Sequence, residues 1–247
     1  MTDFPPSPPR PGSDLGPGEV HVWAVDLDPP PALAAALGRL LAPDERERAA
    51  RFRFDEHRRR YAVGRGALRT LLGAYLGERP EALRFGYGPR GKPELADFPA
   101  LGFNLSNSED LALVGVLRGR EIGVDVECMK PMPDLAQIAE RFFCAAETAK
   151  LLALAEERRR ESFFNCWTRK EAYLKAVGEG LAAPLDSFEV TLTPDEEARM
   201  LFLKGDARAA ERWFYRHLRP APDYIGAVAI EGEPGESWAV RPLRFTV

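Results

Sequence analysis

Seven residues near the middle of the chain, Glu121-Ile-Gly-Val-Asp-Val-Glu127, alternate between two kinds of side chain. Extended, they place Ile122, Val124 and Val126 on one face and Gly123, Asp125 and Glu127 on the other. The first face needs a core to pack on, so the second must look onto something polar. Two carboxylates on one strand face can converge on a cation, and hard oxygen donors suit Mg²⁺ or Mn²⁺. Alone, the same alternation also describes the wet face of an edge strand.

The order of elements around this strand favours an α+β fold over a doubly wound parallel sheet. A strand is expected at 21–27, helices at 33–41 and from Pro43, and a strong helix at 61–76 stopped by Gly77. Strands are expected from Leu101, with 111–117 and 121–127 joined as a hairpin through Arg118-Gly119-Arg120. Helices follow at 135–143, 145–155 and 163–177, the last ended by Gly178-Glu-Gly180. Segments 188–192, 212–217 and 225–230 read as strands. Residues 1–19, rich in Pro, Gly and Ser, read as a disordered leader. No repeat is visible in the letters.

Composition excludes several classes. A formal charge of −4 gives no general attraction to nucleic acid or an anionic membrane. No apolar run approaches the roughly 20 residues that span a bilayer, and no signal peptide is recognisable, so the expected compartment is the cytoplasm. Three cysteines without a CxxC pair and three histidines without HExxH spacing argue against a disulfide framework or a zinc site. The Gly86-Tyr-Gly88-Pro-Arg-Gly91 run matches GxGxxG, but Pro89 and Pro93 make it an extended turn and not a dinucleotide loop. Nine arginines between Arg46 and Arg69 point to an anionic partner met by that segment alone.

A second run, Trp167-Thr-Arg-Lys-Glu-Ala-Tyr-Leu-Lys175, reads as helix and places Glu171 and Lys175 on one face. They are either a surface ion pair or a third acid and a phosphate-binding lysine. Trp167 reads as core. No spacing rule brings this helix to the acidic strand.

Together the two runs resemble the signature pair of the 4'-phosphopantetheinyl transferases of the larger, Sfp type. Gly91-Lys-Pro93, Phe103-Asn-Leu-Ser-Asn-Ser108, Arg141-Phe-Phe143, Arg65-x-x-x-Arg69 and Gly178-x-Gly-Leu-x-x-Pro-Leu-x-x-Phe188 extend the likeness over roughly 21–230. The resemblance implies a monomeric pseudo-dimer of two similar α/β half-domains. Residues 20–120 would form the half on the adenosine and 3'-phosphate side, and 121–247 the half on the metal and pyrophosphate side. It implies coenzyme A as co-substrate and Mg²⁺, or Mn²⁺, held by Asp125, Glu127 and Glu171. Lys175 would meet the pyrophosphate, Ser106 and Asn107 would orient it, and Arg48, Arg65, Arg69 and Lys92 would surround the adenosine end.

The reaction implied is transfer of phosphopantetheine to a serine of an apo acyl, peptidyl or aryl carrier protein. Glu127, Glu171 and Lys175 would carry the chemistry, and the carrier would dock near residues 142–144. Two departures stand out: Asn107 replaces a histidine common in relatives, and Glu45 lies where some have a basic residue at the mouth of the 3'-phosphate site. A metal-dependent phosphoesterase or nuclease, and a non-catalytic coenzyme-A-binding protein, are the rival readings.

Overall fold

The computed structural model describes residues 4–9, 14–178 and 184–246. In chain order the first part comprises β1 (Pro6–Ser7), β2 (Glu19–Asp26), α1 (Pro31–Arg39), α2 (Pro43–Ala50) and α3 (Asp55–Leu76). A 3-10 turn (Pro80–Ala82), β3 (Phe85–Tyr87), β4 (Pro93–Leu95), β5 (Leu101–Ser108) and β6 (Leu111–Arg118) follow. The second part repeats the order: β7 (Ile122–Cys128), α4 (Leu135–Phe142), α5 (Ala145–Ala153), α6 (Glu156–Val177) and a 3-10 turn (Leu185–Ser187). Then come β8 (Phe188–Val190), β9 (Met200–Leu203), α7 (Ala207–Ala210), β10 (Trp213–Leu218), β11 (Tyr224–Glu231) and β12 (Ala239–Phe245).

Each part builds an antiparallel three-strand unit whose last strand lies in the middle: β2-β6-β5 in one, β7-β11-β10 in the other. The internal repeat, invisible in the letters, is plain in the topology. The layers run helix, sheet, sheet, helix. Trp23, Val114 and Phe103 pack under α3; Val22, Leu113, Val124 and Val228 fill the space between the sheets; Ile225, Ala227 and Ala229 pack under α6. The apolar face of β7 thus meets the first sheet, and its Gly-Asp-Glu face looks toward α6.

Several expectations change. The segments 111–117 and 121–127 do not form a hairpin. Both edges of β6 are taken by β2 and β5, and β7 pairs with β11 in the other sheet. The chain passes to the other sheet through residues 119–121, and β7 then packs across the face of β6 at Gly115, where a Cβ would meet Val124 Cγ1 at 2.6 Å and Ile122 Cδ1 at 2.8 Å. In the leader, Phe4 is buried, and Pro6–Ser7 pair in parallel with Arg244–Phe245. The second part does not keep to itself either, because β12 returns to pair with β2. α3 and α6 begin earlier than apolar periodicity indicates; their first turns are charged and exposed, with acids at the helix start where the dipole favours them. Gly77 and Gly178 end both helices in the left-handed conformation; residues 179–183 of the glycine run lie outside the described residues. The GxGxxG run is the β3–β4 turn, closed by Gly88 N–H to Lys92 O at 2.9 Å.

Candidate active site

Helix α6 crosses the open face of β7 closely enough to touch backbone. A Cβ on Gly123 would lie 1.8 Å from Ala172 O and 2.5 Å from Ala176 N, so only glycine admits this approach. That contact, which no spacing rule supplies, brings Glu171 and Lys175 over Asp125 and Glu127.

Lys175 Nζ donates to Asp125 Oδ1 and to Ser106 Oγ, both at 2.6 Å. Ser106 Oγ donates to Asp125 Oδ1 at 2.8 Å, and Ser108 Oγ donates to Glu127 Oε2 at 2.8 Å. Asp125 is 3 % exposed. Its Oδ2 and Glu171 Oε1 are buried without a hydrogen-bond partner. Burial is the largest cause raising all three carboxyls, and the charge of Asp125 adds to it at Glu127 and Glu171. Glu127 is pushed up to about 7. A buried oxygen left without a donor is costly, and a divalent cation is the partner whose chemistry suits these hard donors. Among the described residues the three acids are not gathered into a ready cage, and the ammonium of Lys175 occupies one oxygen of Asp125.

The arginines divide. Arg48 and Arg65 line a cleft of about 490 Å³ with Arg60, Tyr61, Tyr87 and Asn107. The guanidinium of Arg48 lies 5.6 Å from the centre of the Tyr61 ring. Arg69 is buried beneath this cleft and does not line it: it donates to Glu45 Oε2 at 2.7 Å and to the carbonyls of Pro80 and Leu83 at 2.9 and 3.0 Å. Arg65 also binds Glu45, through Nε and Nη2 at 2.8 and 2.5 Å. Glu45 does not line the cleft. It is 1 % exposed and accepts the N–H of Ala42 at the start of α2, because an acid three residues into a helix reaches back to the free amide there.

Lys92 stands apart from the arginines. It donates to Ala176 O at 2.7 Å and pairs with Glu121, capping the end of α6. Trp167 stacks on Phe163 at 5.9 Å, and Phe142 meets it edge-on at 5.9 Å. Phe143 is buried in the core, whereas Phe142 and Cys144 are half-buried.

Sequence reasoning missed Asn104 and Ser108. Their signal was the polar alternation Asn104-x-Ser106-x-Ser108 on β5, which mirrors the acidic alternation on β7.

Two sequence families match this chain: the 4'-phosphopantetheinyl transferase superfamily over residues 121–229, and the 4'-phosphopantetheinyl transferase N-terminal region over residues 28–116. HetI, a 4'-phosphopantetheinyl transferase of Nostoc sp. (strain PCC 7120), is 43% identical over 228 residues, 91% of this chain and 93% of that protein. The chain therefore belongs to the 4'-phosphopantetheinyl transferase family, enzymes that move the 4'-phosphopantetheine arm of coenzyme A onto carrier proteins. It is a member of the Sfp type; Bacillus subtilis Sfp is 33% identical over 155 residues, 63% of this chain and 68% of that protein. A solved Thermotoga maritima holo-[acyl-carrier-protein] synthase aligns with 46% of this chain and 63% of its own, at 22% identity and a TM-score of 0.37.

Proposed function

We propose that this enzyme loads carrier-protein serines at the β7–α6 site, with the adenosine end of coenzyme A in the arginine–tyrosine cleft and Mg²⁺, or Mn²⁺, among the acids. The observation that supports it most is the set of buried carboxylate oxygens without donors, lying beside Lys175. Asp125, Glu127 and Glu171 would hold the cation. When bound, it supplies charge neutralisation to the pyrophosphate.

The residues of the chain supply the rest. Arg48 offers a guanidinium fork to phosphate oxygens, Arg65, whose Nε and Nη2 are held by Glu45, adds its positive charge, and Tyr61 and Tyr87 offer faces to a base. Arg69 and Glu45 support Arg65 from below. Asn107 can donate a hydrogen bond there but carries no charge. Lys175, already within the acid cluster, stabilises the negative charge that develops on the phosphate oxygens. Lys92 holds the end of α6, the helix that carries Glu171 and Lys175.

In the reaction, the carrier serine oxygen forms a bond to the β-phosphorus of coenzyme A. The bond from that phosphorus to the oxygen bridging to the 5'-phosphate breaks, and adenosine 3',5'-bisphosphate leaves with the electron pair. Glu127 or Glu171 accepts the serine proton. On this reading residues 20–120 serve the adenosine end and residues 121–247 the pyrophosphate. One chain completes one site as a monomer in the cytoplasm, and the carrier docks near residues 142–144. No helix among the described residues is long and apolar enough to cross a membrane.

Mixing the protein with Mg²⁺, coenzyme A and a panel of apo acyl, peptidyl and aryl carriers, then weighing the carriers intact, tests the assignment. A pantetheinyl mass gain that disappears with chelator is expected. No gain on any carrier would defeat the reading.

A further inference from the structure

Where the two sheets meet, β5 and β7 lie side by side without exchanging backbone hydrogen bonds. Side chains of β5 take the place of its carbonyls at every second residue. Asn104 Oδ1 accepts the N–H of Val124 at 3.0 Å, Ser106 Oγ that of Val126 at 3.4 Å, and Ser108 Oγ that of Cys128 at 3.2 Å. The two serine rungs also hold the acids, Ser106 on Asp125 and Ser108 on Glu127.

A hydroxyl carries one proton and two lone pairs. With a backbone N–H delivered to its oxygen, the proton of Ser108 is free to go to Glu127. Each serine rung therefore ties a backbone amide of β7 to the acid one residue earlier on that strand, which aims the carboxylate as well as spacing the strands. Ser106 is also engaged by Lys175, whereas Ser108 has no bond to a cation among those the structure shows.

We infer that Ser108 is a positioning residue for the transferase reaction: it acts through Glu127, fixing the rotamer in which that carboxylate faces Asp125 and Glu171. Asn104, buried at the other end of the ladder, sets the register of β7 without touching an acid. This inference rests on Glu127 being a metal ligand. A partner that orients a ligating carboxylate typically contributes 10- to 100-fold in metal affinity.

The test is a titration of the whole protein with Mn²⁺ alone, followed by the loss of free-ion electron paramagnetic resonance signal, beside kcat and coenzyme A KM. Ser108→Ala should weaken Mn²⁺ binding by roughly 10- to 100-fold and lower kcat, with coenzyme A KM within about twofold. Ser108→Thr, which keeps the hydroxyl, should recover at least half of the lost binding free energy. Glu127→Gln serves as the reference. If it weakens Mn²⁺ binding and Ser108→Ala does not, the inference is overturned while the metal site stands. If neither variant changes Mn²⁺ binding, the metal reading itself fails and takes the inference with it. Should Ser108→Ala not fold, Ser108→Cys, of similar size and with a weaker donor, replaces it in the same comparison.

Discussion

The helices α3 and α6 are two versions of one part put to different use. Each is 22 residues long and ends at a left-handed glycine. The fifteenth residue of each is a buried cation, Arg69 or Lys170. Each cation binds an acid at the start of a preceding short helix, Glu45 or Glu147, and two carbonyls beyond its own helix. One residue further along, the halves part company: Thr70 stands opposite Glu171, and a turn later Ala74 stands opposite Lys175. When the eight-residue strands β6 and β11 are laid end to end, their pairing registers put Trp23 where the second half has Asp125. In the first half that place is closed, with Tyr75 OH meeting Trp23 Nε1 at 2.8 Å and His21 Nδ1 at 2.6 Å. The scaffold is repeated and the charged face exists in one copy, so the contacts that hold each half are separable from the chemistry.

That separation can be broken first at its sharpest point. Glu171→Ala should cut transfer by roughly 10²–10³-fold or more with an unchanged circular dichroism spectrum, whereas Thr70→Ala should stay within about twofold in the same carrier-mass assay. Comparable losses in both would mean that the first half is also catalytic. The buried acids come next. Glu45→Ala and Glu147→Ala each strand buried positive charge, a loss of about 3–5 kcal/mol in urea unfolding. Glu45→Ala should cost more, because an unpaired guanidinium cannot shed its proton and Lys170 can. The Glu147→Ala deficit should therefore narrow at alkaline pH while the Glu45→Ala deficit persists.

Gly123→Ala should cost about 1–3 kcal/mol by pushing α6 from β7 and lose activity with it. Gly86→Ala, whose Cβ would meet nothing within 4 Å, should stay within about 0.5 kcal/mol. A fourth effect is pH-dependent. Burial works to raise the carboxyl of Glu45, but the hydrogen bond from Arg69, the charge of Arg65 and the N–H of Ala42 hold it below its ordinary 4.5. A carboxyl lowered by folding stabilises above its unfolded value and loses that contribution as the pH falls through the folded one. Stability should thus drop below about pH 4.5, and the slope should be shallower in Glu45→Gln by acid titration of the unfolding midpoint. Smallest of all, Asn107→His should lower coenzyme A KM a few-fold, by placing a chargeable donor on the cleft wall; an unchanged KM would remove position 107 from phosphate binding.

Much of the site was legible because its grammar is local. A period of two placed Asp125 and Glu127 on one face, and a period of four aligned Glu171 with Lys175. The convergence of strand and helix was not legible, since it depends on what Gly123 lacks. The strand pairing failed for a related reason: Arg118-Gly119-Arg120 has the length of a hairpin loop, and nothing in it tells that β6 is already flanked on both edges and that β7 packs over Gly115 instead of beside it. The cationic cluster was only partly legible because a sequence does not reveal which arginines already have partners; Glu45 engages Arg65 and Arg69, and of these two only Arg65 also lines the cleft beside Arg48. β12 escaped notice because Pro242, Arg241 and Arg244 obscure its alternation, although Leu243 and Phe245 are buried.

β2 and β12 stand at opposite extremes of the chain, yet they pair along most of their length. On a ribosome, β2 waits for its neighbour until more than two hundred further residues have been synthesised. Until then the strand keeps a bare edge bearing Val20 and Val22, the kind of surface that recruits foreign strands. Pairings so distant in sequence also close slowly. The first half can thus assemble its helix layer during synthesis but not its whole sheet, and the joining of β12 is a later event that fills the gap between β1 and β2.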